Sequence, residues 1–182
     1  MNKPRNPAPI AQHQRLALLR QAMNREDVPR RDRVAVVLVL LYAQPLTRII
    51  RLTTDDILQE DGEVLVRLGD PPSPVPEPFA GLMLAYLNER PNTMTATNPE
   101  ARWLFPGRRA GQPMTSDALE LRFRRLGFPT QRGRTAAIRH LLLQAPAPVV
   151  ARMLGYHDDT TAQLAAEAGG TWSRYAPGDH AR

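Results

Sequence analysis

The sequence predicts a mainly helical fold carrying one small β-hairpin, an α+β arrangement. Three observations lead there. Apolar residues recur at helical spacing through most of the chain, as in Leu16, Leu18, Leu19, Ala22 and Met23. Two short β-prone runs, Ile57-Leu58 and Val64–Leu68, flank an Asp61-Gly62 pair, the turn chemistry of a hairpin. No repeat and no alternation of strands with helices is present, which excludes a parallel nucleotide-binding sheet.

The elements follow in order. Residues 1–9 contain three prolines and little to bury, and read as a flexible arm or linker stub. The rest, 10–182, reads as a single domain. A first helix starts from Ile10 and stops at Pro29. A second, Arg30–Gln44, is apolar nearly all round over Val34–Tyr42, the mark of a central helix. Pro45 opens a short amphipathic turn with Leu46, Ile49, Ile50 and Leu52 inside and Arg48 and Arg51 outside. After the hairpin, the five prolines of residues 71–78 allow only an irregular edge strand around Val75. Phe79–Leu87 returns to helix, and 91–101 is a polar loop. Trp103-Leu104-Phe105-Pro106 forms a buried extended anchor, followed by a basic turn from Arg108 to Gly111. Thr115 or Ser116 caps a helix that runs to Leu126 and closes at Gly127. Helices are expected at Thr135–Gln144, Val149–Leu154 and Thr160–Ala168, with Trp172–Tyr175 as an aromatic anchor.

Composition narrows the function. The 182 residues include no cysteine, so disulfides, thiolate metal sites and cysteine nucleophiles are excluded. The longest apolar run, Val34–Leu41, is far short of the ~18 residues that suggest a membrane span. With no apolar signal core near the start, a cytoplasmic protein without membrane contact is the expectation. No glycine-rich phosphate loop, paired metal-spaced histidines or nucleophile elbow is present, and no cofactor or metal is expected.

The formal charge is +6, and the basic side chains are Lys3 and 23 arginines. Beyond residue 3 there is no side-chain amine to act as a general acid. Arginine grips phosphate bidentately but keeps its proton near neutrality. The charge is also unevenly placed. Residues 1–54 and 101–139 each carry a net +7, whereas 55–100 carries −7. Two basic blocks around an acidic one suit a protein with one face toward a polyanion.

Several phrases, in this order, resemble the catalytic domain of the tyrosine recombinases (the phage-integrase family). Leu40-Leu41-Tyr42 followed by Leu52-Thr53-Thr54-Asp55-Asp56-Ile57 is similar to the segment around the family's first arginine. Trp103-Leu104-Phe105-Pro106 with Met114-Thr115 is similar to its entry into the next helix. Arg134-Thr135-Ala136-Ala137-Ile138-Arg139-His140-Leu141-Leu142 and then Val149–Gly155 resemble the segments holding its second arginine and its Leu-Gly-His. The match spans about 30–165.

The resemblance implies duplex DNA as partner, held by its phosphate backbone, and admits a homo-oligomer or a separate recombinase domain. It implies a tyrosine nucleophile, two arginines clamping the phosphate, a hairpin lysine as general acid, and histidines. Arg134 fits the second arginine. The histidine expected three residues earlier is Gln131, and His157 lies one residue past its expected place, with Tyr156 inserted. Thr47 sits near the first arginine's position, with Arg48 or Arg51 as substitutes if the turn shifts. The hairpin lysine is missing; Arg67 and Asp70 occupy that stretch. Leu164, Ala165 and Ala166 stand where the nucleophile should be, and Tyr175 is the only later tyrosine.

The reading is therefore a degenerate, recombinase-like DNA-binding protein, with Arg134, His157 and Tyr175 as candidate catalytic residues. Arg48, Arg51, Arg122, Arg125, Arg132 and Arg134 are the candidate DNA contacts. Arg122, Arg124 and Arg125 equally suit a solvated helix end, and His140 suits helix-face packing. The alternatives are an active strand-exchange enzyme using Tyr175, or a protein-interaction module that keeps the fold.

Overall fold

Helix α2 (Arg30–Tyr42) is the hub because its sequence has almost no polar face: Val34 to Leu40 are all buried. In the computed structural model, which describes residues 8–89 and 102–157, α2 is surrounded by α1 (Gln12–Asn24), α4 (Phe79–Glu89), α5 (Ser116–Leu126) and α6 (Thr130–Gln144). A helix apolar on every side requires that environment. Gly133 lets α6 come close, since a Cβ there would press on the Leu40 side chain.

Two buried arginines fasten α1 to α2 reciprocally. Arg15 of α1 donates from Nη1 to the Leu40 carbonyl at 2.6 Å, while Arg33 of α2 donates to the carbonyls of Ala22 and Met23. Each guanidinium meets the carbonyl-rich C-terminal end of the other helix, where the macrodipole favours a cation. Both residues have only polar-face signatures in the sequence, which did not foretell their burial.

The small sheet forms as its turn chemistry requires. Strands β1 (Ile57–Glu60) and β2 (Glu63–Val66) pair antiparallel with Ile57 opposite Val66, and β3 (Ser73–Pro74) adds to the other edge of β2. Asp61 (φ 50°) and Gly62 (φ 82°) supply the left-handed turn. The edge strand expected around Val75 thus ends one residue earlier. Val75 still donates its N–H to the Val64 carbonyl at 2.8 Å.

The Trp103–Pro106 anchor is buried at Leu104 and Phe105, with Phe105 stacked on Tyr86 at 5.9 Å. Thr115 caps α5 by accepting from the Ala118 N–H, and Gly127 (φ 76°) closes it. Helix α6 begins five residues earlier than expected, at Thr130 after Pro129, and Gly133 is tolerated within it for close packing. Helix α7 (Ala147–Leu154) also starts earlier, with Pro148 in its first turn, and Gly155 (φ 66°) ends it. At the start of the described chain, Ala8 and Ile10 are tied to Arg132: its Nε donates to the Ala8 carbonyl at 2.9 Å. The expected helix at 160–168, the Trp172–Tyr175 anchor, most of the arm and the whole 91–101 loop lie outside the described residues.

Candidate functional site

The candidate site lies where the end of α2, the short helix α3 (Leu46–Ile49), the exit of β2, α6 and the end of α7 converge. Pro45 starts α3 and gives it one turn, which buries Leu46 and Ile49. Arg48 does not point outward as the sequence suggested. Its Nη1 donates to the carbonyls of Leu154 (2.7 Å) and Gly155 (2.8 Å), and its Nη2 to that of Leu68 (2.8 Å). One guanidinium thus joins α3, the chain leaving β2 and the C-terminal end of α7. The fork geometry and the partial negative charge of a helix C-terminus both favour this.

Glycines make the junction possible. A Cβ on Gly69 would collide with backbone at Arg152 and Gly155, and one on Gly155 would collide with the Leu68 carbonyl and the Arg48 guanidinium. Gln44, almost fully buried, adds a bond from Nε2 to the same Leu154 carbonyl at 3.3 Å.

Arg134 stands in the second turn of α6 rather than at the helix start. Its Nε donates to the Ala43 carbonyl at 3.0 Å and reaches the Tyr156 hydroxyl at 3.1 Å. Ala43 ends α2 in the left-handed region (φ 54°). The Tyr156 hydroxyl itself donates to the Ala43 carbonyl, and the guanidinium lies 5.6 Å from the centre of the Tyr156 ring. The two terminal nitrogens of Arg134 make no hydrogen bond with any described residue.

Tyr156 therefore lies beside Arg134, the neighbour for which His157 was the candidate, while His157 is exposed one residue on. The left-handed cap at Gly155 directs the very next side chain toward α6, so the residue after Leu154-Gly155 is the one that reaches Arg134. That adjacency was the available signal. Burial pushes the Tyr156 phenol above its ordinary pKa, against the opposing pull of the Arg134 and Arg48 charges.

The other candidate contacts divide. Arg51, Arg125 and Arg132 are exposed, as is Arg124. Arg122 is committed to an ion pair with the buried Asp32, Nη1 to Oδ2 at 3.2 Å, so it ties α5 to the start of α2 instead of lining a solvated face. The hairpin stretch carries exposed Arg67, and Asp70 pairs with Arg152 at 3.2 Å. His140 is half-buried on α6 between Gln12 and Gln144, in the packing role its place suggested. Tyr175 lies outside the described residues. Among the described residues, no group of histidine and acidic side chains is placed to hold a metal ion, and no helix is long and apolar enough to cross a membrane.

This geometry can be set beside known proteins. A crystal structure of XerA recombinase matches with a TM-score of 0.67 and 16% identity, over 97% of this chain and 66% of that one. The Tn1549 transposon integrase in complex with a circular-intermediate DNA matches with a TM-score of 0.68 and 14% identity, over 97% and 68%. The fold is that of the tyrosine-recombinase catalytic domain. A lambda integrase dimer bound to a core site also matches, with a TM-score of 0.55 and 15% identity, over all of this chain and 52% of that one. The chain thus spans about two thirds or less of these recombinase structures. No protein-family model and no curated protein matches the sequence. The mainly helical fold around a central α2 stands as the sequence predicted, while the hairpin gains a third short strand and α6 and α7 begin earlier than expected.

Proposed function

We propose that this chain is a DNA-binding protein on a recombinase fold that grips backbone phosphate but does not cut the strand. The observation that carries the proposal is Arg134: Ala43 and Tyr156 fix its Nε edge, and two terminal nitrogens remain for a phosphate oxygen pair. Exposed Arg51, Arg124, Arg125 and Arg132 supply further cations of the type that duplex backbones attract. The Tn1549 and lambda integrase structures hold DNA, and the same ligand suits the basic blocks of this chain.

Cleavage is not part of the proposal, for a chemical reason. Arg67 cannot serve as general acid in the lysine's stead, because a guanidinium keeps its proton. Among the described residues, the tyrosine beside Arg134 is Tyr156, and it directs its hydroxyl into a carbonyl.

Binding to a duplex of random sequence, followed across a salt series, tests the reading. Log affinity should fall linearly with log salt at about 0.9 per phosphate neutralised. Arg134→Ala should reduce that slope by about one with the fold intact. An unchanged slope removes Arg134 from the site, and no binding at ~50 mM salt favours a protein-interaction module. A nicked suicide substrate should trap no covalent product; a trapped product that disappears in Tyr175→Phe would establish strand exchange instead.

A further inference from the structure

A second site lies away from Arg134, in a cavity of about 690 Å³ between the hairpin, the end of α2, the C-terminal half of α6 and α7. Its size is that of a small-molecule pocket, and its wall is largely apolar, with Tyr42, Val64, Val75 and Val150 among the lining residues. Two polar groups in that wall have hydrogen-bonding capacity that no described residue uses: the buried hydroxyl of Ser73 and one terminal nitrogen of Arg15.

Arg15 is 3% exposed, yet no carboxylate pairs with it among the described residues. Its Nε and Nη1 bond to Gln12 and to the Leu40 carbonyl, and its Nη2 has no described partner. Ser73 is 2% exposed, and its hydroxyl makes no hydrogen bond with any described residue. Buried charges are ordinarily paired and buried hydroxyls bonded. Helix α2's carbonyl end answers only part of the Arg15 charge.

We propose that the cavity binds a small monocarboxylic acid with an apolar body, its carboxylate on Arg15 and its hydrocarbon along the valine-lined wall. A carboxylate matches the guanidinium in charge and geometry. His140 and Gln144 lie at the same α1–α6 end and present polar atoms there, while the acidic lining residues, Glu63 and Glu77, come from the sheet side and are solvent-exposed. The head group therefore belongs at the Arg15 end. Ser73 offers an unused hydrogen bond to any polar substituent farther along the ligand.

The test is calorimetric titration of the full chain with octanoate below its micellar concentration, with octanol as the neutral control. Octanoate should bind at least tenfold more tightly than octanol, and Arg15→Met should abolish that preference while retaining octanol. Because Arg15 also fastens α1 to α2, a second variant keeps the test decisive. Ala145→Phe, which fills the cavity from an extended position at the end of α6, should weaken octanoate at least tenfold with Arg15 untouched. Equal affinity for acid and alcohol, octanoate binding unaffected by Ala145→Phe, or no binding by the full chain would each overturn the proposal.

Discussion

The junction around Arg48 and the edge of α6 around Arg134 both bring an arginine near Tyr156, but they use it differently. Arg48 closes over three backbone carbonyls from two separate segments, while Arg134 bonds through one nitrogen and leaves two without a described partner. Sequence position near a family motif does not by itself free an arginine for phosphate. What decides is whether carbonyls at a helix end reach the guanidinium first. At α3 they do, because Gly69 and Gly155 permit backbone to approach; at α6 one carbonyl, that of Ala43, does so.

The largest effect should come from Arg48→Ala. Hydrogen bonds with a charged partner contribute about 1.5–3 kcal/mol each, so losing a three-carbonyl bridge should cost about 3 kcal/mol or more in urea unfolding. The salt slope of DNA binding should not move. A stable Arg48→Ala variant whose slope falls by about one would return Arg48 to the phosphate. Gly155→Ala comes next: it forces a side chain into a left-handed residue (φ 66°) and against Arg48 and Leu68. A loss of about 2 kcal/mol is expected, combining backbone strain with displacement of the bridge. If Gly155→Ala in the Arg48→Ala background costs as much as in wild type, the two are not one unit.

The frame of the molecule was legible because its signals are local. All-round apolarity of Val34–Leu40, the Asp61-Gly62 turn and the Thr115 and Gly127 caps each act within a few residues, and each produced the expected element. Arg134 was singled out by the phrase that surrounds it, and the fold sets it on α6 against the Ala43 carbonyl and Tyr156. The fate of Arg48 was not, since it depends on carbonyls from residues 68, 154 and 155 arriving in space. The burial of Arg15 and Arg33 was hidden for the same reason: their partners are carbonyls on another helix, to which sequence periodicity is blind. The start of α6 was missed because Gly133 reads as a helix weakener when its close approach to Leu40 is unknown.

The smallest expected effects concern Tyr156 and separate the two arginines most finely. Burial raises the phenols of both Tyr42 and Tyr156 above their ordinary value near ~10. The folded state then keeps protons that the unfolded chain releases, so stability is full below pH ~10 and falls as pH rises beyond it. Tyr42, whose hydroxyl is bonded to the Pro74 carbonyl at 2.6 Å and whose shift comes from burial, should account for more of that alkaline slope. Tyr156, opposed by Arg134 and Arg48, should account for less. Unfolding free energies measured from pH 8 to 11 should therefore flatten clearly in Tyr42→Phe and slightly in Tyr156→Phe. At neutral pH, Tyr156→Phe loses one hydroxyl's bonds and should cost about 1 kcal/mol. The ring remains against the guanidinium and the Ala43 carbonyl still holds Nε, so the DNA salt slope should stay at its wild-type value. A slope lowered as far as in Arg134→Ala would mean that the phenol, not the carbonyl, aims this arginine at its anion.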